Sequence, residues 1–347
     1  VLPALGTTTQ DAPQDPAALR DTLAPLIGAP GLGNKVAASV IDTATGKQLY
    51  GQGATTPMTP ASTIKIATAT AALSVLGPDH RIATTAALSP DSRTVTLVGG
   101  GDPTPVTALM VNEGRVNNTD RGPAKRTEDP AGDAARTFAA ALEKAGVKVT
   151  GAPREARADD EARTVATHRS APLDALVERT LTNSDNDIAE ALARQTAIAK
   201  GESASFAGAR RAVTNELKKL KVPVAGAHFA DGSGLDRKDR ITPALLTALL
   251  ARAADADRPG LRPVLTGLPI AGFSGTLGGR YAPDAEGTGL IRAKTGTLFG
   301  VNSLAGTVVD RQGRLLAFAF LASGSIDADE AEPALDALAT ALAGTGG

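Results

Sequence analysis

Thr59-Pro60-Ala61-Ser62-Thr63-Ile64-Lys65 opens a run of small and apolar residues that continues to Leu76 and is stopped by Gly77-Pro78. The run reads as a helix, because Gly-Pro cannot continue one and nothing before it breaks it. Ser62 and Lys65 stand three apart at its start, so both side chains project from one face within reach of each other. That pair can carry chemistry. A serine hydroxyl is a poor nucleophile until a neighbouring base takes its proton, and a lysine is such a base only as the neutral amine. Burial and nearby positive charge would lower the Lys65 pKa, and Lys294 could supply that charge. The unpaired N–H groups of the helix start point at Ser62, favouring an alkoxide and a developing oxyanion.

Upstream, Lys35–Asp42 (KVAASVID) and Lys47–Tyr50 read as two strands of a hairpin turned at Thr43-Ala44-Thr45-Gly46. Asp15 and Pro16 supply an N-cap and first position for a helix over Ala17–Leu26. Downstream, Thr94–Val98 is a short strand. Residues 111–133 are polar and aperiodic, and 154–163 form a charged surface stretch. Helices are expected over Asp133–Ala145, on both sides of Thr182–Asp187 within Leu173–Ala199, over Ala209–Leu220, and over Pro333–Leu342. Leu290–Ala293, Leu304–Val309 and the strongly apolar Leu315–Leu321 (LLAFAFL) are strands, the last two joined at Arg311-Gln312-Gly313. The N- and C-terminal strands can share one antiparallel sheet, with the mostly helical middle covering one face. The fold class is α+β.

Two further motifs follow Ser62–Lys65 in order. Ser184-Asp185-Asn186 lies between two helical runs, and Lys294-Thr295-Gly296-Thr297 closes a strand. Ser184 and Asn186, alternating on one side of a short extended loop, could relay a proton to a leaving amine and hold a substrate backbone. Gly296 lets a backbone approach without a Cβ clash. Lys294 can attract a terminal carboxylate. The N–H groups of Ser62 and Thr297 would form an oxyanion hole. Taken singly, these motifs are a capped helix start, a turn and a strand end; their ordered occurrence in the elements the chemistry needs is what carries weight.

S-x-x-K, S-D-N and K-T-G together resemble the signature of serine penicillin-binding proteins and class A β-lactamases. Asp42–Lys47 (DTATGK), Leu97–Thr104 (LVGGGDPT), Asn186–Gln195 (NDIAEALARQ), Asp231–Leu235 (DGSGL) and Gly275-Thr276-Leu277 extend the likeness to the D-Ala-D-Ala carboxypeptidase/endopeptidase family of penicillin-binding protein 4. It covers most of the chain from about residue 15 onward. The resemblance implies a serine β-lactamase/transpeptidase-like fold: a five-stranded antiparallel sheet with flanking helices, a mostly helical subdomain and a site in the cleft. It implies a serine D,D-peptidase, carboxypeptidase or endopeptidase, that works through a Ser62 acyl-enzyme and is inhibited covalently by β-lactams. The catalytic residues would be Ser62, Lys65, Ser184, Asn186 and Lys294, with Thr295, Gly296, Thr297 and Leu298 binding substrate and no cofactor or metal. The partners would be a peptidoglycan stem peptide and β-lactams, in an extracytoplasmic setting.

The family carries extra domains between the first two motifs, whereas 118 residues separate Lys65 from Ser184 here. Gly101-Asp102-Pro103-Thr104 passes at once into Pro105-Val106, two stretches that flank the insertion in full-length relatives. The expected division is thus a catalytic domain of 15–104 and 168–347, with 105–167 a remnant of, or flank to, a missing accessory insertion. A discontinuity in the chain at Thr104–Pro105 is expected on the same ground.

A β-lactamase would need a deacylating Glu between the second and third motifs. Glu190, Glu202, Glu216 and Glu286 fall there, none in an ExxLN-like context, and Glu190 is expected to cap or pair on its own helix. A non-catalytic β-lactam- or cell-wall-binding module is the other alternative. Asp231-Gly232-Ser233-Gly234 reads as a turn against the sheet. With 36 basic and 37 acidic residues interspersed, no basic field invites nucleic acid or an anionic membrane. The chain has no cysteine, and its three histidines, His80, His168 and His228, lack zinc-site spacing and read as surface or loop residues. No apolar run approaches the ~20 residues of a membrane span. The start at Val1-Leu2-Pro3 resembles a mature exported chain after signal removal, or a trimmed one.

Overall fold

Leu315–Leu321 alternates large and small residues, and that alternation sets the architecture. In a strand, successive side chains face opposite ways. Leu316, Phe318, Phe320 and Ala322 enter one apolar core, while Ala317, Ala319 and Leu321 enter another. The strand is buried on both faces, so the sheet must carry helices on both.

A computed structural model describes residues 16–101, 109–117, 119, 121–325 and 327–345. The N-cap expected at Asp15 and the junction expected at Thr104–Pro105 lie outside the described residues. In chain order the elements are α1 (Pro16–Ile27), β1 (Lys35–Asp42), β2 (Gln48–Gln52), α2 (Lys65–Leu76), β3 (Ala83–Leu88), β4 (Val95–Val98), α3 (Pro130–Lys144), β5 (Arg163–Arg169), α4 (Leu173–Asn183), α5 (Asn186–Ala199), α6 (Phe206–Lys219), α7 (Pro243–Ala254), α8 (Pro263–Thr266), β6 (Ile291–Leu298), β7 (Val301–Val309), β8 (Leu315–Ser323) and α9 (Ala328–Ala343). The main sheet runs β2-β1-β8-β7-β6, antiparallel throughout. It is the five-stranded antiparallel sheet expected, and the class is α+β.

α1 and α9 pack their leucines on the face that carries Phe318 and Phe320, whose rings stack 5.3 Å apart. The opposite face presents small residues such as Ala37, Ala305, Ala317 and Ala319 to α2, α7 and the helices behind them. Small side chains there let α7 approach β8 closely. A second sheet, β4-β3-β5, is built from short strands.

Several elements differ from the sequence reading. α7 was not foreseen: Leu245, Leu246, Leu249, Leu250 and Ala253 are buried, and its half-exposed face is mostly alanine (Ala244, Ala248, Ala251), so little polar contrast marks the period. β5 falls beyond the charged stretch, and every residue in it is exposed, so no apolar alternation marks it. β6 continues through Lys294-Thr295-Gly296-Thr297 to Leu298 rather than stopping before them, because β7 pairs with it over that whole length. The 111–133 segment holds a 3-10 turn at Asn112–Gly114.

Phe320 is fully buried on the α1/α9 face. Phe320→Ala should therefore destabilise the fold by about 3–5 kcal/mol in urea unfolding, the range of buried phenylalanine truncations. A loss below about 1 kcal/mol, the scale of a surface change, would show that this core does not hold the sheet.

Candidate active site

The site forms where α2 meets the β6 edge of the sheet. Ser62 lies in a 3-10 turn, Ala61–Ile64, and the α-helix proper begins at Lys65. The expected helix start is thus a tighter turn feeding the helix. Ala61, just before the nucleophile, has φ 49°, a left-handed conformation costly for a residue with a Cβ. The N–H of Ser62 has no acceptor among the described residues, as an oxyanion donor would require.

Lys65 is fully buried, and its Nζ donates to Ser62 Oγ at 2.9 Å, to Asn186 Oδ1 at 2.7 Å and to the Ser233 carbonyl at 2.6 Å. Burial pulls the Lys65 amine down to about 7, against the carboxylates of Asp231, Asp185, Glu190 and Asp239, which push it up. The sequence reading gave part of this lowering to Lys294. The structure puts burial first, and the charges acting on Lys65 are carboxylates. The repulsion between the two lysines is felt at Lys294 instead. That amine, also fully buried, lies well below the usual range because of burial, then Lys65, then Arg280. Lys294 Nζ donates to the Thr295 carbonyl at 2.8 Å.

Ser184-Asp185-Asn186 is not an extended loop but a two-residue corner between α4 and α5. Ser184 caps α4 with φ 58° and ψ 38°, and Asn186 is already the first residue of α5. The break is this short because Asp185 is the N-cap: its Oδ1 accepts from the N–H groups of Asp187 and Ile188 at 3.0 and 3.1 Å.

β6 is an edge strand. Over Ile291–Ala293 its outer side is bonded by Pro269–Ala271, with Ala293 N donating to the Pro269 carbonyl and Ala271 N to that of Ile291, both near 3 Å. Beyond Lys294 no backbone group pairs with that edge among the described residues. Thr295 Oγ1 donates to Thr276 Oγ1 at 2.8 Å, and Thr297 Oγ1 to Glu332 Oε1 at 3.3 Å. Leu298 closes the strand at the turn into β7. Gly296 also has a structural reason. A Cβ there would sit 2.3 Å from Ser303 Oγ, 2.8 Å from the Pro60 carbonyl and 3.0 Å from Ser62 N. The glycine lets the strand press against the nucleophile's own turn.

The sequence reading did not foresee several contacts. Asp231–Gly234 packs on α2, not on the sheet: Thr68 Oγ1 donates to the Gly232 carbonyl at 2.8 Å, and Gly234 approaches the Ala61 carbonyl too closely for any Cβ. Asp231 accepts from the N–H groups of Ser233, Gly234 and Asp236 at 3.0, 2.6 and 2.7 Å. The Asp-Gly-Ser-Gly composition was the available signal for a tight, carboxylate-pinned turn. Glu190 pairs with Arg194 on its helix at 3.0 Å, as expected, and its other oxygen takes the N–H groups of Gly232 and Ser233 at 2.9 and 3.0 Å. Buried Asp239 is pushed up to about 8 by desolvation and by Asp231. Among the described residues, Glu113, Asp185 and Asp187 have the spacing of a metal site, yet guanidinium groups of Arg115, Arg126 and Arg179 already pair with them.

Gly296→Ala should fold but react poorly, since its methyl group must displace Ser303 or the Pro60–Ser62 backbone. A loss of about 100-fold in covalent reaction at Ser62 is expected, the scale of a 1 Å misplacement. A wild-type rate in this variant would show that the strand does not set the nucleophile.

The sequence profile of the D-Ala-D-Ala carboxypeptidase 3 (S13) family matches residues 19–113 and 110–344. A carboxypeptidase of Mycobacterium tuberculosis is 35% identical over 92% of this chain and 82% of its own length. Carboxypeptidase DacB of Mycolicibacterium smegmatis is 33% identical over 94% of this chain and 84% of its own. The crystal structure of penicillin-binding protein 4 from Haemophilus influenzae, complexed with a β-lactam, superposes with a TM-score of 0.74 over 94% of this chain and 98% of that one, at 20% identity. The chain belongs to the D-Ala-D-Ala carboxypeptidase 3 (S13) family, the serine carboxypeptidases of the penicillin-binding protein 4 type.

Proposed function

We propose that this chain cleaves D-alanyl peptide bonds of peptidoglycan stem peptides through an acyl-enzyme on Ser62, and that β-lactams trap it there. The observation that carries the reading is the Lys65 amine, hydrogen-bonded to Ser62 Oγ at 2.9 Å with its pKa drawn to about 7. Near neutral pH such an amine is partly free to take a proton.

Lys65 Nζ removes the Ser62 hydroxyl proton as Oγ attacks the carbonyl carbon of the scissile amide. The negative charge that develops on the carbonyl oxygen is held by the N–H groups of Ser62 and Thr297. As the C–N bond breaks, the leaving amine takes the proton, relayed through Lys65 and the Ser184 hydroxyl, and Ser62 carries an ester. Water then cleaves that ester. Asn186 holds Lys65 and the substrate backbone, while Thr295–Leu298 pairs with the substrate along the β6 edge. A C-terminal carboxylate arriving beside Lys294 favours its ammonium form. A β-lactam's strained amide opens by the same attack, but its leaving nitrogen stays attached to the acyl group.

The β-lactamase alternative lacks support at Glu190, whose carboxylate oxygens are engaged by two backbone N–H groups and Arg194. The substrate class places the activity outside the cytoplasm. For the domain division, residues 105–167 are read as a remnant of, or flank to, an absent accessory insertion. Two findings support this: the family profile matches in two pieces meeting at 110–113, and the alignment with the M. tuberculosis carboxypeptidase runs over 393 positions against 347 residues here.

Labelling with a fluorescent penicillin, followed by mass spectrometry, tests the nucleophile: Ser62→Ala should fold and take no label, and label retained in that variant would remove Ser62 from the reaction. Lys65→Arg should abolish labelling, because a guanidinium stays charged. The pH dependence has a definite sign. Only neutral Lys65 is a base, so the acylation rate should fall about tenfold per pH unit below about 7 and level off above it. A rate that is flat from pH 5 to 8, a span of ~3 units across that value, would contradict the assignment of the base. The penicilloyl adduct should persist for minutes; turnover at ordinary rates of ~10 per second would make the protein a β-lactamase.

A further inference from the structure

The polar segment that follows residue 109 brings one buried acid to the corner that carries Ser184 and Asn186. Glu113 is only 8% exposed, and it and Asn112 both take left-handed backbone angles, φ 54° and 50°. Two strained residues and a buried carboxylate are a costly arrangement for a surface loop, and such costs tend to be retained where function needs them.

The contacts of Glu113 span the corner. Oε1 accepts from Arg179 Nη2 at 2.6 Å, and Arg179 is in the last turns of α4, with its Nε 3.7 Å from Asp185 Oδ2. Oε2 pairs with Arg126 Nη1 at 3.2 Å, and Arg126 Nη2 holds Asp187 Oδ2, in the first turn of α5, at 2.8 Å. Arg115 steadies the same carboxylate at 3.0 Å, and Arg126 also donates to the Glu113 carbonyl at 2.6 Å. One guanidinium therefore holds the end of α4, another the start of α5, and a single carboxylate holds both. Between these helices lie Ser184, in a strained left-handed conformation, and Asp185. The corner's working output is the 2.7 Å bond from Lys65 Nζ to Asn186 Oδ1. Burial opposes an ionised Glu113, but its bonds to Asp185 and the arginines hold it below the usual range; Asp185 is pushed up, first by burial and then by Glu113.

We propose that Glu113 is a positioning residue that locks the angle between α4 and α5, and so fixes Asn186 against Lys65. The inference rests on the acyl-enzyme reading above. It touches no substrate, so its effect should appear in the chemical step and not in binding.

Acylation by a fluorescent penicillin, followed by stopped flow, separates the dissociation constant of the first complex from the acylation rate constant. Glu113→Gln should lower the rate constant about 10- to 100-fold, as small misplacements do, and leave the dissociation constant unchanged. Arg136→Ala, which breaks an exposed ion pair with Asp129 and Asp133 nearby in sequence, should change neither. A folded Glu113→Gln with the wild-type rate constant, or with its loss confined to the dissociation constant, overturns the proposal. Should that variant not fold, Arg126→Ala removes the half-exposed link to Asp187 and must lower the rate constant alone; an unchanged rate constant there overturns it equally. Failure of the wild type to acylate at Ser62 would instead strike the reading on which the proposal rests.

Discussion

Burying an ammonium costs several kcal/mol unless its protons find partners, and the arrangement around Lys65 is a partial repayment of that cost. Three acceptors meet its Nζ, from Ser62, Asn186 and Ser233. Four carboxylates stand near enough to favour the charged form without contacting it. The balance leaves the amine near neutrality, where a base is most useful. Lys294 shows what happens without that support. It is equally buried, donates to one carbonyl, and faces cations in place of carboxylates, so it falls much further. Two lysines of identical chemistry are thus given different proton affinities by their neighbours.

Those three acceptors come from segments far apart in sequence, with Asn186 121 positions and Ser233 168 positions from Lys65. The sheet makes this convergence possible. β6 lies at its edge and presses Gly296 against Pro60–Ser62, while α2, behind the nucleophile, packs against α5. An edge strand supplies both a rigid wall for the turn and an unpaired rim for a peptide.

How far the sequence could be read follows from which forces leave a local trace. The alternation of Leu315–Leu321 and the Gly-Pro stop after Leu76 are local, so the sheet and the nucleophile helix were legible. The spacing of Ser62 and Lys65 foretold their contact, because a helical turn fixes it. α7 was hidden because its half-exposed face is mostly alanine, and β5 by its complete exposure, since neither leaves a clear polar-apolar period. The pull on the Lys65 amine was assigned to Lys294 because motif spacing cannot show burial. Glu190, Asp231 and Ser233 were noticed, but their contacts with the site were not, for a related reason: those contacts are made through backbone groups, which every residue possesses. Glu113 sat in a stretch with no periodicity at all, and only the fold brings three arginines to it.

The remaining constraint is backbone strain, and two of the strained residues stand at the site. Ala61, immediately before Ser62, and Ser184 itself both hold positive φ without being glycine. Such conformations persist only when surrounding structure over-determines them. At Ala61 that structure is Gly234, whose absent side chain allows contact with the Ala61 carbonyl, and the Pro60 carbonyl held by Ser303 Oγ at 2.6 Å. At Ser184 it is the cap made by Asp185 and the ion pairs joining α4 to α5. A relaxed backbone at Ala61 would turn the Ser62 hydroxyl away from Lys65, and one at Ser184 would shift Asn186, two residues on, from its bond to the same amine. The glycines and ion pairs around the site therefore act through geometry, by keeping two unfavourable turns from unwinding.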